Sequence, residues 1–333
     1  MEFFNNYKKL YLTAFILFLV LTLFVCIFPA LNIQKNNAPL PNAIALSEDA
    51  TKGKAVFLSN GCVACHTQQV RNVEMDQVWG ERPSIPADYA DIHRTDFWRN
   101  TATFMGTERT GPDLTNIGQR QPSLEWHLVH FFNPRIVVKE SIMPSYPWLF
   151  TIKKVAEEGD VVVNVPDGFV EKGSKVIAND EALQLIAYMQ SLKQVKLPTG
   201  IPEPDFLYKQ KNAVVSNKPG AAKELNGALL YSNNCQSCHQ ANGEGLKGAF
   251  PPLKGSKIVL DDDNPELMVD IIMNGYSGRV KEGYPVMPGI GTTNHLKPEE
   301  IAAIMNHEKT SWGNNAKTVS TEDVKKWMDN VKK

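Results

Sequence analysis

Two five-residue stretches of this chain carry the residue types and spacing for cofactor chemistry: Cys62-Val63-Ala64-Cys65-His66 and Cys235-Gln236-Ser237-Cys238-His239. This spacing reads as c-type haem attachment, in which the two thiols add to the vinyl groups of one haem and the adjacent imidazole turns back to ligate the iron. Two copies predict two covalently bound haem c groups. Cys62, Cys65, Cys235 and Cys238 are the expected attachment points, and His66 and His239 the expected iron ligands. The competing readings are a zinc knuckle or a redox dithiol. A structural zinc site needs four ligands gathered locally, and neither motif has a second cysteine pair nearby.

The fifth cysteine, Cys26, lies in a stretch from Leu10 to Leu31 that holds no charged residue. As a helix its 22 residues cover roughly 33 Å, enough to cross the hydrocarbon core of a bilayer. There Cys26 reads as a small apolar residue. A cleaved signal peptide competes for the segment. The length of the run, and the lack of a small-x-small cleavage pattern soon after it, favour an uncleaved anchor. Leu23-Phe24-Val25 before Cys26 do not suit a lipoprotein site. Lys8 and Lys9 precede the run, so the positive-inside rule places residues 1–9 in the cytoplasm and the bulk of the chain in the bacterial periplasm. A formal net charge of −1 predicts no strongly charged partner such as nucleic acid. No Ser, Cys or Lys nucleophile in a recognisable setting and no phosphate loop is present. The chemistry therefore falls to the haems, and no catalytic residue is assigned.

The elements that would position the two motifs occur twice in the same order. An amphipathic run leads into each motif, at 47–59 and 222–232, with Gly53 and Gly227 placed where another helix would approach the backbone closely. After each motif come a Pro-x-Leu (Pro112-Asp113-Leu114, Pro251-Pro252-Leu253), a Met-Pro pair (Met143-Pro144, Met287-Pro288) and a closing helical run, at 180–192 and 298–307. The copies differ between histidine and proline loop, where 46 positions separate His66 from Pro112 and 12 separate His239 from Pro251. The large insert is a candidate docking surface. A second insert, 161–177, has β-branched residues around Pro166-Asp167-Gly168 and predicts a hairpin. Residues 196–220, rich in Pro, Lys and Asn, read as a linker.

Two units of this order resemble class I cytochrome c domains. The resemblance implies a mainly α fold with crossed first and last helices, a proline carbonyl holding the haem histidine through Nδ1 (here Pro112 and Pro251), and a methionine as sixth ligand. The expected layout is an anchor at 10–31, a first cytochrome domain at 45–195, a linker at 196–221 and a second domain at 222–333. A methionine raises the potential of a haem. Met287, between Pro285 and Pro288, is the expected ligand in the second unit, with Met268 and Met273 as core filler. Met143 is the choice in the first unit, against Met75, Met105, His93, His127 and His130. His127 and His130 share a helix face, where packing or hydrogen bonding is the expected role.

The first unit goes further. Cys65-His66-Thr67-Gln68-Gln69-Val70-Arg71, Arg109-Thr110-Gly111-Pro112-Asp113-Leu114, Trp126-His127, Asn133-Pro134-Arg135 and Glu140-Ser141-Ile142-Met143-Pro144-Ser145-Tyr146-Pro147-Trp148-Leu149 together resemble the monohaem subunit of cbb-type (C-family) haem-copper cytochrome c oxidases. That resemblance implies one membrane helix and one cytochrome domain packed on a catalytic subunit, with Met143 as axial ligand. The stretch Trp79-Gly80-Glu81-Arg82-Pro83 departs from the family's insert, where it usually carries a Tyr-Gly and an acidic segment. The second unit is the larger departure and implies a fusion. The expected function is a non-catalytic electron wire from a periplasmic donor, such as a soluble cytochrome c or the quinol-oxidising complex, to the catalytic subunit of an oxygen-reducing oxidase. A nitric oxide reductase of the same superfamily, a free-standing carrier and a dihaem peroxidase are the alternatives.

Overall fold

The computed structural model describes residues 2–36, 45–90, 106, 108–197, 200–207, 213–214 and 224–331. The expected ligand rivals His93 and Met105, and most of the expected linker, lie outside them. Helix α1, Tyr7–Ile33, begins where Asn6 Oδ1 accepts the amide of Lys9 at 3.2 Å. It therefore starts three residues before the apolar run and takes Lys8 and Lys9 into its first turn. Its Leu, Phe and Val side chains are exposed along its length. Exposing each of them to water costs roughly 1.5–3 kcal/mol relative to burial, which makes α1 a candidate membrane anchor.

The first unit is built on a helix crossing. Helix α2, Glu48–Ser59, is capped by Ser47, whose Oγ accepts from Ala50 N at 3.1 Å, and it carries Glu48 and Asp49 on its positive end. Helix α3 is Leu124–Phe132, and α4, Asp180–Ser191, is capped in turn by Asn179. The buried face of α2 (Ala50, Gly53, Phe57) lies against Ala182, Leu185 and Tyr188 of α4. The expected hairpin is present as β2, Val161–Val163, paired antiparallel with β3, Lys175–Ala178. The sequence reading missed strand β1, Phe150–Lys153, which pairs with the other edge of β3, Phe150 opposite Ala178. A four-residue strand starting straight after the Pro147–Leu149 turn has too little alternation to announce itself.

The second unit repeats the crossing with α5, Gly227–Asn234, against α7, Pro298–Thr310. The expected helix start at 222 is corrected. Asn226 caps the helix by accepting from Leu229 N, and Glu224–Leu225 before it pairs with Ala213–Val214 in a short ladder. Between them lies α6, Pro265–Asn274. A last helix, α8, Thr321–Val331, had no counterpart in the sequence reading. Its Val324 and Met328, one turn apart, close the core made by Met268, Met273, Ile301, Ile304 and Met305.

Candidate haem sites

In the first unit Gly61, at φ 69°, ends α2 and turns the chain into the motif. A tight turn follows, with Cys65 N and His66 N both donating to Cys62 O at 3.1 and 3.0 Å. It puts the imidazole back against the Pro112 loop. His66 Nδ1 lies 2.7 Å from Pro112 O, so that nitrogen carries the proton and Nε2 keeps its lone pair. Burial holds the ring below the ordinary histidine range, in the neutral form a metal requires. Gly111 makes the seat possible, since a Cβ there would stand 2.3 Å from His66 Cε1. Asp113, fully buried, ties the two loops together by accepting from Thr67 Oγ1 (2.6 Å), Gln69 N (2.7 Å) and Thr115 N (2.9 Å).

Tyr146, Met143 and the buried face of α3 pack in the same apolar cluster as Cys62. Met143 Sδ is 3.2 Å from His130 Nε2, and His130 Nδ1 is buried with no hydrogen-bond partner. Burial, reinforced by the nearby charges of His127 and His66, pushes His130 down to about 3. His127, also buried and pushed down to about 4, has its Nε2 committed to Gln121 O at 2.9 Å, in line with the hydrogen-bonding role expected of it. Met75 is exposed on a turn. The large insert folds back on the loop before Pro112. Buried Asp76 accepts from Arg71 N at 2.6 Å and pairs with Arg109 at 2.8 Å, and Arg109 stacks over Trp79.

The second site has the same plan. Cys235 follows α5, His239 N donates to Cys235 O at 3.0 Å, and His239 Nδ1 lies 2.9 Å from Pro251 O. Gly245, at φ 62°, lets that loop close, because a Cβ would stand 2.4 Å from Phe250 O. The Met287 backbone exchanges two 2.9 Å hydrogen bonds with Tyr276. Cys235, His239, Pro251 and Met287 line one cleft of about 710 Å³, open mouth included, whose walls are otherwise mainly apolar. The sequence reading had no signal for Glu308, a carboxyl that also lines this cleft. It sits on the face of α7 that helical periodicity assigns to the core, and burial pushes it up to about 8.

Both sites fit a haem. Each offers two thiols and a neutral imidazole with its free nitrogen available, the first has a thioether within the same cluster, and the second has an apolar cleft with a thioether in its wall. Among the described residues no three His, Cys, Asp or Glu side chains gather as a metal site.

Comparison with known proteins agrees with this plan. The family model of the "Cytochrome C oxidase, mono-heme subunit/FixO" matches residues 2–166, and that of "Cytochrome c" matches residues 225–312. Cytochrome c-552 of Thermus thermophilus is 35% identical over 114 residues, which cover 32% of this chain and 76% of that protein. The cytochrome c subunit of the quinone alcohol dehydrogenase of Gluconobacter oxydans is 29% identical over 150 residues, 45% of this chain and 30% of that one. The fructose dehydrogenase cytochrome subunit of Gluconobacter japonicus is 31% identical over 106 residues, with 22% of its length covered. The chain thus spans less than a third of these dehydrogenase subunits. With covalent haem c implied by the likeness to cytochrome c, the chain belongs to the cytochrome c family and joins a unit of the oxidase mono-haem (FixO) type to a second cytochrome c domain.

Proposed function

We propose that the chain is a membrane-anchored dihaem cytochrome that carries electrons from a periplasmic donor to the catalytic subunit of a cbb-type terminal oxidase, where oxygen is reduced. Residues 10–31 hold it in the bacterial inner membrane with units 45–195 and 222–333, joined by 196–221, in the periplasm. Haem c, attached at Cys62 and Cys65 and again at Cys235 and Cys238, supplies a one-electron iron couple. His66 and His239 donate through Nδ1 to Pro112 and Pro251, which fixes the tautomer and aims Nε2. Met143 and Met287 would join the histidines in holding the two irons, a choice that would favour a high potential and speaks against peroxide chemistry. The C-terminal unit takes electrons in and the FixO-type unit hands them on. The observation that carries this reading is the repeated histidine-to-proline-carbonyl contact, once in a unit that the FixO model matches together with its apolar helix.

A second reading has its own support. The likeness to dehydrogenase cytochrome subunits favours a carrier between a periplasmic dehydrogenase and the respiratory chain. Purification from native membranes in mild detergent separates the two. Co-purification with a haem-copper subunit, two low-spin His/Met haems and oxygen uptake establish the oxidase role. A solitary cytochrome or a dehydrogenase partner sinks it, and a partner that reduces nitric oxide but not oxygen moves the assignment to the reductase.

A further inference from the structure

Among the described residues the two cytochrome units meet at the second haem-attachment motif. Ser237, between the two cysteines of the second motif, receives two hydrogen bonds from the first unit: Gln121 Nε2 donates to its Oγ at 2.8 Å and Trp126 Nε1 to its backbone oxygen at 3.2 Å. Gln121 is braced for this, because its own carbonyl oxygen is held by the buried His127. The Trp126 indole lies flat on His130, with ring centroids 4.5 Å apart and 12° between planes, and His130 Nε2 meets Met143 Sδ at 3.2 Å. Around this line Ala249 and Phe250, 0% and 4% exposed, belong to the same apolar cluster as Leu128, Val129 and Phe131 of α3, with Cys238 and Leu246 packed on it.

We infer that the two units work as one docked body, and that Trp126 is the positioning residue that joins them, in unbroken contact from the second haem-attachment turn to the Met143 side of the first site. The alternative is a pair of beads on a flexible tether that meet only transiently. Against it stands Phe250, an apolar side chain that separation of the units would return to water. A tryptophan with its N–H on one unit and its ring face on the other is the type of side chain that anchors interfaces. The docking stands on geometry alone, whereas an electronic role for Trp126, holding the two haems close enough for fast electron exchange, rests on the proposed two-haem function.

The test uses the full chain in detergent, with a protease site placed in residues 215–220 and cut after folding. In the wild type the two halves stay together on gel filtration. Gln121→Ala weakens their association about fivefold, the worth of one neutral hydrogen bond. Trp126→Ala weakens it by about thirtyfold or more, as expected of an anchor, while Trp126→Phe keeps the stack and loses only the N–H share. In the uncut chain Trp126→Ala abolishes the fast phase of electron equilibration between the haems and leaves both midpoint potentials in place. Wild-type halves that separate freely, or a Trp126→Ala chain with wild-type association and kinetics, overturn the proposal. A chain with one haem whose halves still hold together keeps the docking, and removes the two-haem function and the electronic role of Trp126 with it.

Discussion

A Cβ on Gly53 would lie 1.8 Å from the carbonyl oxygen of Gln184, so α2 and α4 cross backbone to backbone. In the second unit a Cβ on Gly227 would likewise lie 2.2 Å from Ala303 O, so α5 and α7 cross in the same way. Alanine is favoured over glycine by about 1 kcal/mol in a free helix. Here Gly53→Ala must instead push two helices apart, and we expect a net loss of about 2–3 kcal/mol. Thermal unfolding of the variant beside Gly227→Ala checks this. A gain in stability from either substitution would show that the crossing tolerates a side chain.

The large insert is fastened by a buried ion pair. Arg82 and Asp88, with side chains 4% and 1% exposed, meet at 2.7 Å, and Arg82 Nη2 also donates to Val195 O. Removing one partner strands the other charge, so Arg82→Met is expected to cost about 3–5 kcal/mol, and Arg82→Met with Asp88→Asn to recover part of that loss. Denaturant midpoints of the two variants decide it. Equal midpoints for the single and double variants would mean that the charge left on Asp88 is not what destabilises the chain.

Much of this arrangement was legible in the sequence because its strongest signals are local. Cys-x-x-Cys-His fixes the turn, Gly53 and Gly227 announce the crossings, and the resemblance to class I cytochrome c domains supplies the proline loop as the histidine's partner. What escaped depends on distant contacts. Strand β1 needs β3 to exist. Helix α8 is recognised by what Val324 and Met328 cover. The dependence of His66 on Gly111 and Asp113 appears only when loops 44 to 46 residues apart are brought together. The contact of Ser237 with Trp126, 111 positions away, has no sequence signal at all, since serine and tryptophan are ordinary surface and core residues until the two units are docked.

The choice of sixth ligand at the first site is testable because Met143 and His130 are in contact. With Met143 on the iron, Met143→Leu lowers the midpoint potential of one haem within the roughly 0.8 V that axial ligands span, and His130→Leu shifts it little. Met287→His lowers the other haem alone, as replacement of a methionine by a second imidazole should. Redox titration with optical spectra reads both. The reverse pattern, a drop with His130→Leu and none with Met143→Leu, assigns His130 as the ligand.

Glu308 gives the second unit a pH dependence of definite sign. Burial raises its carboxyl from an ordinary value of 4.5 to about 8, a rise that a hydrogen bond from Cys235 only partly offsets. Between those values the folded chain keeps the proton and the unfolded chain has lost it. The folded state therefore binds more protons, and stability falls as pH rises from about 4.5 to 8. At about 1.36 kcal/mol per pKa unit, the loss is on the order of 5 kcal/mol. Attachment of a haem at Cys235 would convert its thiol to a thioether with no S–H to donate, which shifts the window upward. Buried His66, His127 and His239, all held below the usual histidine value, act in the opposite direction as pH rises through the acid range. The informative quantity is thus the difference between wild type and Glu308→Gln, a neutral side chain of the same shape. Unfolding midpoints from pH 5 to 9 should converge at the acid end and separate above it, with the variant the more stable. Parallel curves across that range would mean that Glu308 is ionised in the folded chain.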